Sequence, residues 1–196
     1  MTLGRLSATW PPEVWLVTGI PGAGKTSVAR ALAERLDRSA VVEGDALRAW
    51  VVRGAVWPED GVLAGEAERQ YELAVRNMCL LARSYAEAGF TPFLDLVVAN
   101  RYHLEAFRGY LRGARLRLVV LAPSVEVTLE WDRARGGKAG DGWTHSPAED
   151  PRRRGDAAMR EGLAGFGLWV DSSALSVEET ADAILERQAE ALLPPL

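Results

Sequence analysis

Residues 19–26 read GIPGAGKT, and this short stretch decides the fold of the chain. Its spacing is that of a loop that holds the phosphates of a nucleotide, but the motif is specific only between a strand and a helix. Both neighbours are predicted, because the apolar run VWLVT at residues 14–18 precedes the loop and residues 27–36 carry apolar residues at helical spacing. A plain glycine-rich turn at a strand–helix junction is the alternative.

Each part of the loop has a physical role in binding an anion. Glycines free the backbone to turn tightly, so that successive N–H groups point inward, and the next helix adds the positive end of its dipole. Lys25 can reach the β- and γ-phosphates, and the Thr26 hydroxyl can ligate Mg²⁺, so ATP and Mg²⁺ are the expected cofactors. The predicted nucleotide-binding residues are Gly19, Pro21, Gly22, Ala23, Gly24, Lys25, Thr26 and Ser27.

The rest of the chain alternates between β-like runs and helical stretches. Runs that are apolar on both faces indicate buried parallel strands, and the alternation predicts a three-layer α/β/α sandwich with right-handed crossovers. The other predicted strands are residues 40–42, 90–98, 115–122 and 167–171. The other predicted helices are residues 66–88, 101–111, 125–133 and a last helix that follows Ser176.

Local signals refine these elements. Asn100 and Ser124 are predicted N-caps, and Ser176 with Glu179 is a predicted capping box. Cys79 lies in an apolar helical stretch and is expected to be a small core residue. The helix predicted at residues 66–88 places five side chains along one face, which are Leu73, Asn77, Leu80, Leu81 and Tyr85.

Composition bounds the function. The 196 residues, 48% of them hydrophobic, suit one domain over residues 1–196 with a lid at about residues 133–154. A net charge of −4 favours neither a nucleic-acid nor an anionic-membrane partner. The single cysteine and the absence of a signal-peptide pattern or an apolar run of about 20 residues predict a cytoplasmic protein.

The loop identifies the ligand but not the reaction. A GTPase needs an Asn-Lys-x-Asp motif, and the only lysine besides Lys25 is Lys138, which follows a glycine. No predicted strand ends in the two adjacent acids typical of helicase or transporter ATPases. A kinase, which needs an acceptor site and a closing lid, is therefore favoured.

Acids at the ends of two predicted strands suggest the acceptor and metal sites. Glu43 and Asp45 follow the second strand, where ligands bind in open α/β sheets. Asp45 could accept a proton from an acceptor hydroxyl, or it could simply N-cap a helix that begins at Ala46. Arg48, one turn later, could hold an anionic substrate or balance Asp45, or it could be a surface or structural arginine. Asp95 is flanked by apolar residues, which predicts either a magnesium-facing and substrate-side aspartate or a buried carboxylate bonded to backbone amides.

Arginines and tryptophans border the predicted lid. Arg133 and Arg135 end the helix that enters the irregular stretch at residues 135–151, and they could close over the nucleotide and exclude water. Residues 152–154 are three further arginines, ranked lower because such a run is more often a solvated helix face. Trp50, Trp57 and Trp143 are expected to pack in the core or in loops, with a stacking surface for a flat substrate as the alternative. No role is assigned to His103 or His145.

Together these residues resemble the small P-loop kinases grouped around chloramphenicol phosphotransferase and gluconate kinase, within the zeta-toxin and adenylate-kinase-like NTPases. The resemblance runs from residue 14 to residue 191. The motifs that carry it are GIPGAGKT, the acid after the second strand, SYAEAGF, FLDLVV, LEWDRARG and VDSSALSVEETADAIL. It implies a five-stranded parallel sheet of order 2-3-1-4-5 with Asp95 beside the loop, Asp45 as the base, and Arg133 and Arg135 in the lid. It also implies adenine near residues 171–174.

The sequence departs from two members of this group. Leu96 follows Asp95, where chloramphenicol phosphotransferases have a second acid. The Asp-Gly-x-Pro-Arg stretch of adenylate kinases is absent from the third strand, which favours a hydroxyl over a phosphate as acceptor. The sequence predicts an ATP- and Mg²⁺-dependent phosphotransferase, monomeric or homodimeric, that acts on a small molecule. The alternatives are a nucleoside-monophosphate-kinase-like enzyme and a non-catalytic ATP-binding switch.

Overall fold

A computed structural model describes residues 11–58, 64–134 and 150–196 of the chain. Its centre is a five-stranded sheet in which every strand pairing is parallel, in the order β2-β3-β1-β4-β5. The strands are β1 (Glu13–Gly19), β2 (Ser39–Glu43), β3 (Thr91–Asp95), β4 (Arg115–Leu121) and β5 (Leu168–Val170). The five predicted strands and the predicted strand order are thereby confirmed.

Helices cover the sheet and connect its strands. The first four are α1 (Lys25–Ala33), α2 (Gly44–Ala49), α3 (Gly65–Glu87) and α4 (Arg101–Tyr110). The others are α5 (Val125–Ala134), α6 (Pro151–Gly162), α7 (Val177–Glu186) and α8 (Gln188–Ala191). Parallel strands need such crossover helices, and the predicted α/β sandwich is the resulting architecture.

The structure corrects the prediction for the third strand. We predicted a strand over residues 90–98, but β3 ends at Asp95, and the following backbone turns away so that Val98 N donates to Thr18 Oγ1 at 2.8 Å. Leu96 and Val98 are buried without being part of the strand. Asp95 therefore lies at the carboxyl edge of the sheet, where it is the register partner of Glu43.

The structure also corrects the predicted face of α3. Leu73, Leu80 and Tyr85 are 39%, 59% and 41% exposed, so the large apolar side chains do not mark the packed side. The buried stripe consists mainly of small residues with one aromatic ring. Its members are Ala67, Tyr71, Ala74, Val75, Met78, Cys79, Ala82 and Ala86. Small side chains let the helix lie close to the sheet, and the predicted burial of Cys79 is confirmed.

Helix α6 has no counterpart among the predicted helices, because its sequence PRRRGDAAMREG is strongly polar. Its start is nevertheless well specified. Asp150 is the N-cap and accepts a hydrogen bond from Arg152 N at 2.8 Å, and Pro151 occupies the first turn. The caps at Asn100 and Ser124 and the capping box of Ser176 and Glu179 are confirmed.

Candidate active site

The phosphate loop runs from the last residue of β1 to the first turn of α1, which begins at Lys25. Gly22 has φ 87°, and a Cβ added to Gly19 would lie 2.5 Å from Leu121 O, so side chains fit at neither position. The Lys25 ammonium donates to Ile20 O at 3.3 Å, across the loop. The eight predicted nucleotide-binding residues are thus together at the amino end of a helix, the arrangement that binds phosphates.

The predicted metal pair is in direct contact. Thr26 Oγ1 donates a hydrogen bond to Asp95 Oδ2, across 69 residues of sequence. A hydroxyl and a carboxylate are the hard oxygen ligands that Mg²⁺ prefers, so these two residues fit the ion. Within the described ranges no group of three or more His, Cys, Asp or Glu side chains is placed to hold a metal.

Asp95 is buried, and burial raises its pKa above the ordinary value for aspartate. The positive charge of Lys25 and the hydrogen bond from Thr26 oppose this rise in the pKa, whereas the negative charges of Asp45 and Glu43 add to it. These electrostatic couplings place four of the candidate residues around one carboxylate.

Asp45 lies inside the first turn of α2, and its side chain is exposed. The N-cap of α2 is Glu43, which makes no side-chain cap, so the reading of Asp45 as an N-cap before Ala46 is wrong. Gly44 permits this arrangement, because a Cβ there would lie 2.5 Å from Leu96 Cδ1 and 3.2 Å from Asp95 O. The close approach of α2 to the end of β3 brings Asp45 to the side of the phosphate loop where the sequence predicts the acceptor.

Arg48 is half-buried one turn further along α2. Its guanidinium carbon lies 4.3 Å from the centre of the Trp57 ring, and Nη2 donates to Val56 O at 3.4 Å. Burial lowers the pKa of Arg48, and the nearby Asp45 and Tyr71 oppose that change in the pKa. Trp57 and Trp50 are 48% and 71% exposed, so the interpretation of these two tryptophans as packed residues is wrong.

Only one of the two predicted lid arginines is among the described residues. Arg133 is an exposed residue near the end of α5, while Arg135, Trp143 and His145 lie outside the described residues. No contact between Arg133 and the phosphate loop is seen, and the lid role of both arginines stays a prediction.

The structure instead brings Arg152 to the phosphate loop. Arg152 is 7% exposed, and its Nη2 donates to Asp132 Oδ2 at 2.8 Å. A Cβ added to Gly22 would lie 3.7 Å from Arg152 Nη1, so the guanidinium lies against the outer side of the loop. The sequence offered one signal for this role, the N-cap Asp150 and Pro151 that start α6, but it could not single out one of three consecutive arginines.

Residues 171–174 form a turn after β5. Asp171 Oδ1 accepts hydrogen bonds from Ser173 N at 3.0 Å and from Ser173 Oγ at 2.6 Å, which lower the pKa of Asp171. Ser124 N, at the start of α5, donates to Ser173 Oγ at 2.9 Å. The turn therefore lies at the carboxyl edge of the sheet. That it borders adenine stays a prediction.

The fold and the loop define the class, a P-loop protein with a kinase-like fold. The chain belongs to the AAA domain family, whose model matches residues 14–160. No curated protein sequence matches it. Among the residues that the structure describes, no helix has the length and apolar character that crossing a bilayer requires.

Solved structures of other proteins share the fold. A sugar kinase from Janibacter sp. HTCC2649 is 17% identical, with 92% of this chain and 96% of that chain covered and a TM-score of 0.62. The tunicamycin resistance protein of Deinococcus radiodurans is 20% identical, covering 94% and 99%, with a TM-score of 0.61. A gluconokinase from Sinorhizobium meliloti 1021 is 22% identical, covering 91% and 94%, also with a TM-score of 0.61.

Proposed function

We propose that this protein transfers the γ-phosphoryl group of ATP to a hydroxyl group of a small molecule. One observation carries the proposal. The buried carboxylate of Asp95 bonds to the Thr26 hydroxyl of the phosphate loop and is electrostatically coupled to Asp45 on the acceptor side. A metal-side group and a candidate base are therefore close to the phosphates, as phosphoryl transfer requires.

The phosphate loop would bind and orient the nucleotide. Backbone N–H groups of residues 22–25 and the amino end of α1 would hold the phosphate oxygens, with Lys25 supplying the positive charge. Thr26 and Asp95 would hold Mg²⁺, which when bound neutralises charge on the transferred group. The protein's contribution is mainly positioning and charge stabilisation, because phosphoryl transfer needs little covalent chemistry from side chains.

Asp45 would act on the acceptor. Its exposed carboxylate could accept the hydroxyl proton while the hydroxyl oxygen attacks phosphorus, and the oxygen that links the β- and γ-phosphates would leave with ADP. Arg152 would keep its guanidinium charge beside Gly22, and Arg133 and Arg135 are proposed to close the lid. Exclusion of water matters, because water in the acceptor position would turn the reaction into ATP hydrolysis.

Two other functions remain as rivals. A nucleoside-monophosphate-kinase-like enzyme would transfer the phosphoryl group to a phosphate. An ATP-binding switch would bind ATP without transferring the phosphoryl group. The partner we propose is a small molecule rather than a nucleic acid or a membrane, with cytoplasmic localisation and a monomeric or homodimeric state.

Release of ADP by the purified protein tests the proposal. We expect the rate to be low with Mg²⁺ and ATP alone and to rise when a panel of sugars, nucleosides and antibiotics includes a suitable acceptor. Asp45→Asn should abolish that stimulation and leave ATP affinity within about twofold, because Asp45 lies on α2 and outside the phosphate loop. Asp37→Asn, which alters an exposed carboxylate elsewhere, should retain full activity.

The outcomes separate the three functions. Stimulation only by nucleoside monophosphates would replace the hydroxyl acceptor with a phosphate acceptor. ATP binding without stimulation by any compound would favour the switch, and full activity in Asp45→Asn would remove Asp45 as the base.

A further inference from the structure

The segment that follows α2, residues 50–58, exposes four large apolar side chains. Trp50 is 71% exposed, Val52 93%, Val56 40% and Trp57 48%. Single exposed apolar residues are common on protein surfaces. Two tryptophans on one short segment are less ordinary, and an exposed apolar patch next to a catalytic site often binds a ligand.

The backbone of this segment is held in place. Gln70 on α3 binds it twice, with Nε2 donating to Gly54 O at 2.7 Å and Oε1 accepting from Val56 N at 2.8 Å. Arg48 on α2 donates to Val56 O at 3.4 Å. The segment is therefore fixed to both neighbouring helices, so the exposed rings are carried by an ordered surface.

Arg48 is engaged in supporting this surface. Its guanidinium lies over the Trp57 ring, with 4.3 Å between the guanidinium carbon and the ring centre, and covers one face of the indole. A guanidinium that already stacks on a ring and binds a carbonyl has less capacity to capture an acidic substrate. The arrangement favours a ring as the group that the acceptor presents here, in place of the anionic group expected from the sequence.

The surface is close to the candidate base. Arg48 and Asp45 are three residues apart on α2, so they lie on the same side of the helix, and the charge of Asp45 acts on Arg48. Asp45 in turn acts on Asp95 at the phosphate loop. A molecule that presents a hydroxyl to Asp45 can thus extend toward Trp57.

We infer that Trp57, with Arg48 as support, binds an aromatic ring of the acceptor. The inference rests on the proposed function and narrows its substrate to an alcohol that carries a planar ring without charge at the end that meets Trp57. A ring offers the flat face that stacking on indole requires, whereas an open-chain polyol does not.

Matched pairs of compounds test this inference by direct binding. Each pair shares its hydroxyl groups and differs in the aromatic ring: uridine with methyl β-ribofuranoside, adenosine with methyl β-ribofuranoside, and 4-nitrophenyl β-glucoside with methyl β-glucoside. Titration calorimetry with Mg²⁺ and the non-hydrolysable analogue AMPPNP gives the affinities. We expect the ring-bearing member of at least one pair to bind at least tenfold more tightly.

Variants locate the effect. Trp57→Ala should reduce the advantage of the ring-bearing compound at least fivefold, and Trp57→Phe should retain most of it because a π face remains. Trp50→Ala removes an exposed tryptophan on the other side of α2 and should leave the advantage unchanged. Tyr110→Ala removes an aromatic side chain that is 43% exposed at the end of α4 and should change nothing. AMPPNP affinity should be the same in all four variants.

Equal affinities within every pair, or no binding by any compound, would overturn the inference. So would a dimer that dissociates on Trp57→Ala and Trp50→Ala while the affinities within the pairs stay equal, because the tryptophans would then contact a second copy. These readouts do not depend on phosphoryl transfer. Tight ring binding without ADP release would sustain the inference and refute the proposed function.

Discussion

Asp95 is a buried residue of the candidate site whose side chain is an ionisable carboxyl group. A buried carboxylate is costly unless it is paired, and Asp95 is paired with the Thr26 hydroxyl beside the ammonium of Lys25. Because the pKa of Asp95 is raised, these partners offset only part of the effect of burial on that pKa. Asp95 therefore reduces folding stability when it is ionised, which is typical of residues selected for function.

This cost predicts a pH dependence. A carboxyl whose pKa is higher in the folded protein binds more protons when folded, so its contribution is favourable at low pH and is lost as the pH rises through the folded-state pKa. Asp95→Asn should therefore gain in melting temperature relative to the wild type as the pH rises above about 4, the ordinary pKa of aspartate. Scanning fluorimetry measures this difference, with Asp37→Asn as the control. Parallel pH profiles for the wild type and Asp95→Asn would contradict the assignment.

Arg152 gives a second prediction for a single residue. Its buried guanidinium neutralises Asp132 at 2.8 Å and Asp150 at 3.6 Å, so Arg152→Ala should lower the free energy of unfolding by about 3–5 kcal/mol. The adjacent Arg153, 39% exposed and paired with Glu126, is a matched control whose loss should cost about 0–1 kcal/mol. Urea unfolding measures both.

A second change distinguishes charge from packing at Arg152. Adding Asp132→Asn to Arg152→Ala should recover part of the loss, because one unpaired buried carboxylate disappears. Equal effects of Arg152→Ala and Arg153→Ala would show that the buried ion pairs do not matter.

At the scale of single residues, the sequence pointed to Asp95 as a candidate site residue but did not single out Arg152. An acid between apolar neighbours is conspicuous in a sequence, since its environment is set largely by its own strand. Arg152, Arg153 and Arg154 are chemically identical, and only the packing of α6 against α5 buries one of them. Tertiary contacts determine which of these arginines is buried, and no local sequence pattern encodes such contacts.

Among the elements, α2 is the one whose position matters most for the acceptor side. It packs against the end of β3 through Gly44, where a Cβ would lie 2.5 Å from Leu96 Cδ1 and 2.9 Å from Met78 Sδ. The contact leaves no space for a side chain. Asp45 and Arg48 are therefore positioned by a glycine that itself carries no chemistry.

A pair of glycine substitutions tests this packing. Gly44→Ala should destabilise the protein by about 1–3 kcal/mol, because the added methyl forces α2 away from the core. Gly109→Ala, in α4 with open space around the position, should stabilise it by about 0.5–1 kcal/mol through helix propensity. Chemical unfolding gives both values. A neutral Gly44→Ala would mean that α2 can shift freely, and an acceptor KM unchanged by it would separate α2 from substrate binding.

The elements also show which sequence signals were reliable. Caps and apolar strands were predicted well, because short-range hydrogen bonds and burial on both faces determine them. The prediction of which face of α3 packs on the core was wrong, because small residues, which allow close packing, form the buried side of this helix. Helix α6 was missed because buried polar and ionic contacts, including those of Arg152, replace an apolar stripe.

For the whole molecule, strand order determines where ligands bind. β1 lies between β3 and β4. The chain leads from β1 to β2 on one side and later crosses from β3 to β4 on the other, and this reversal opens a crevice at the carboxyl edge of the sheet. The loop after β1 and Asp95 at the end of β3 both lie at that edge. Periodicity predicted the α/β class, whereas the order came from resemblance, since local pattern does not specify which strands are neighbours.

Nucleotide binding at this crevice should stabilise the whole fold. Mg²⁺–ATP at about 100 times its Kd should add about 2.7 kcal/mol to the free energy of unfolding, seen as a higher melting temperature. Lys25→Ala should remove most of the increase, and chelation of Mg²⁺ with EDTA should reduce it in the wild type. An undiminished increase in Lys25→Ala would refute the phosphate-loop assignment, while Arg115→Ala, exposed at the start of β4, serves as the control.

The single-domain organisation, the lid at residues 133–154 and the oligomeric state stay predictions. The described residues include the two ends of the proposed lid, residues 133–134 at the end of α5 and residues 150–154 at the start of α6.

Because all strand pairings in the sheet are parallel, the amino ends of the strands meet at the edge opposite the candidate site. The turn between α4 and β4 lies there, and Gly113 in it is exposed with φ 87°. A cysteine-containing tag inserted at that turn would accept a dye or a surface linker while leaving the catalytic edge untouched. The molecule thus offers a convenient attachment point for single-molecule observation of nucleotide binding.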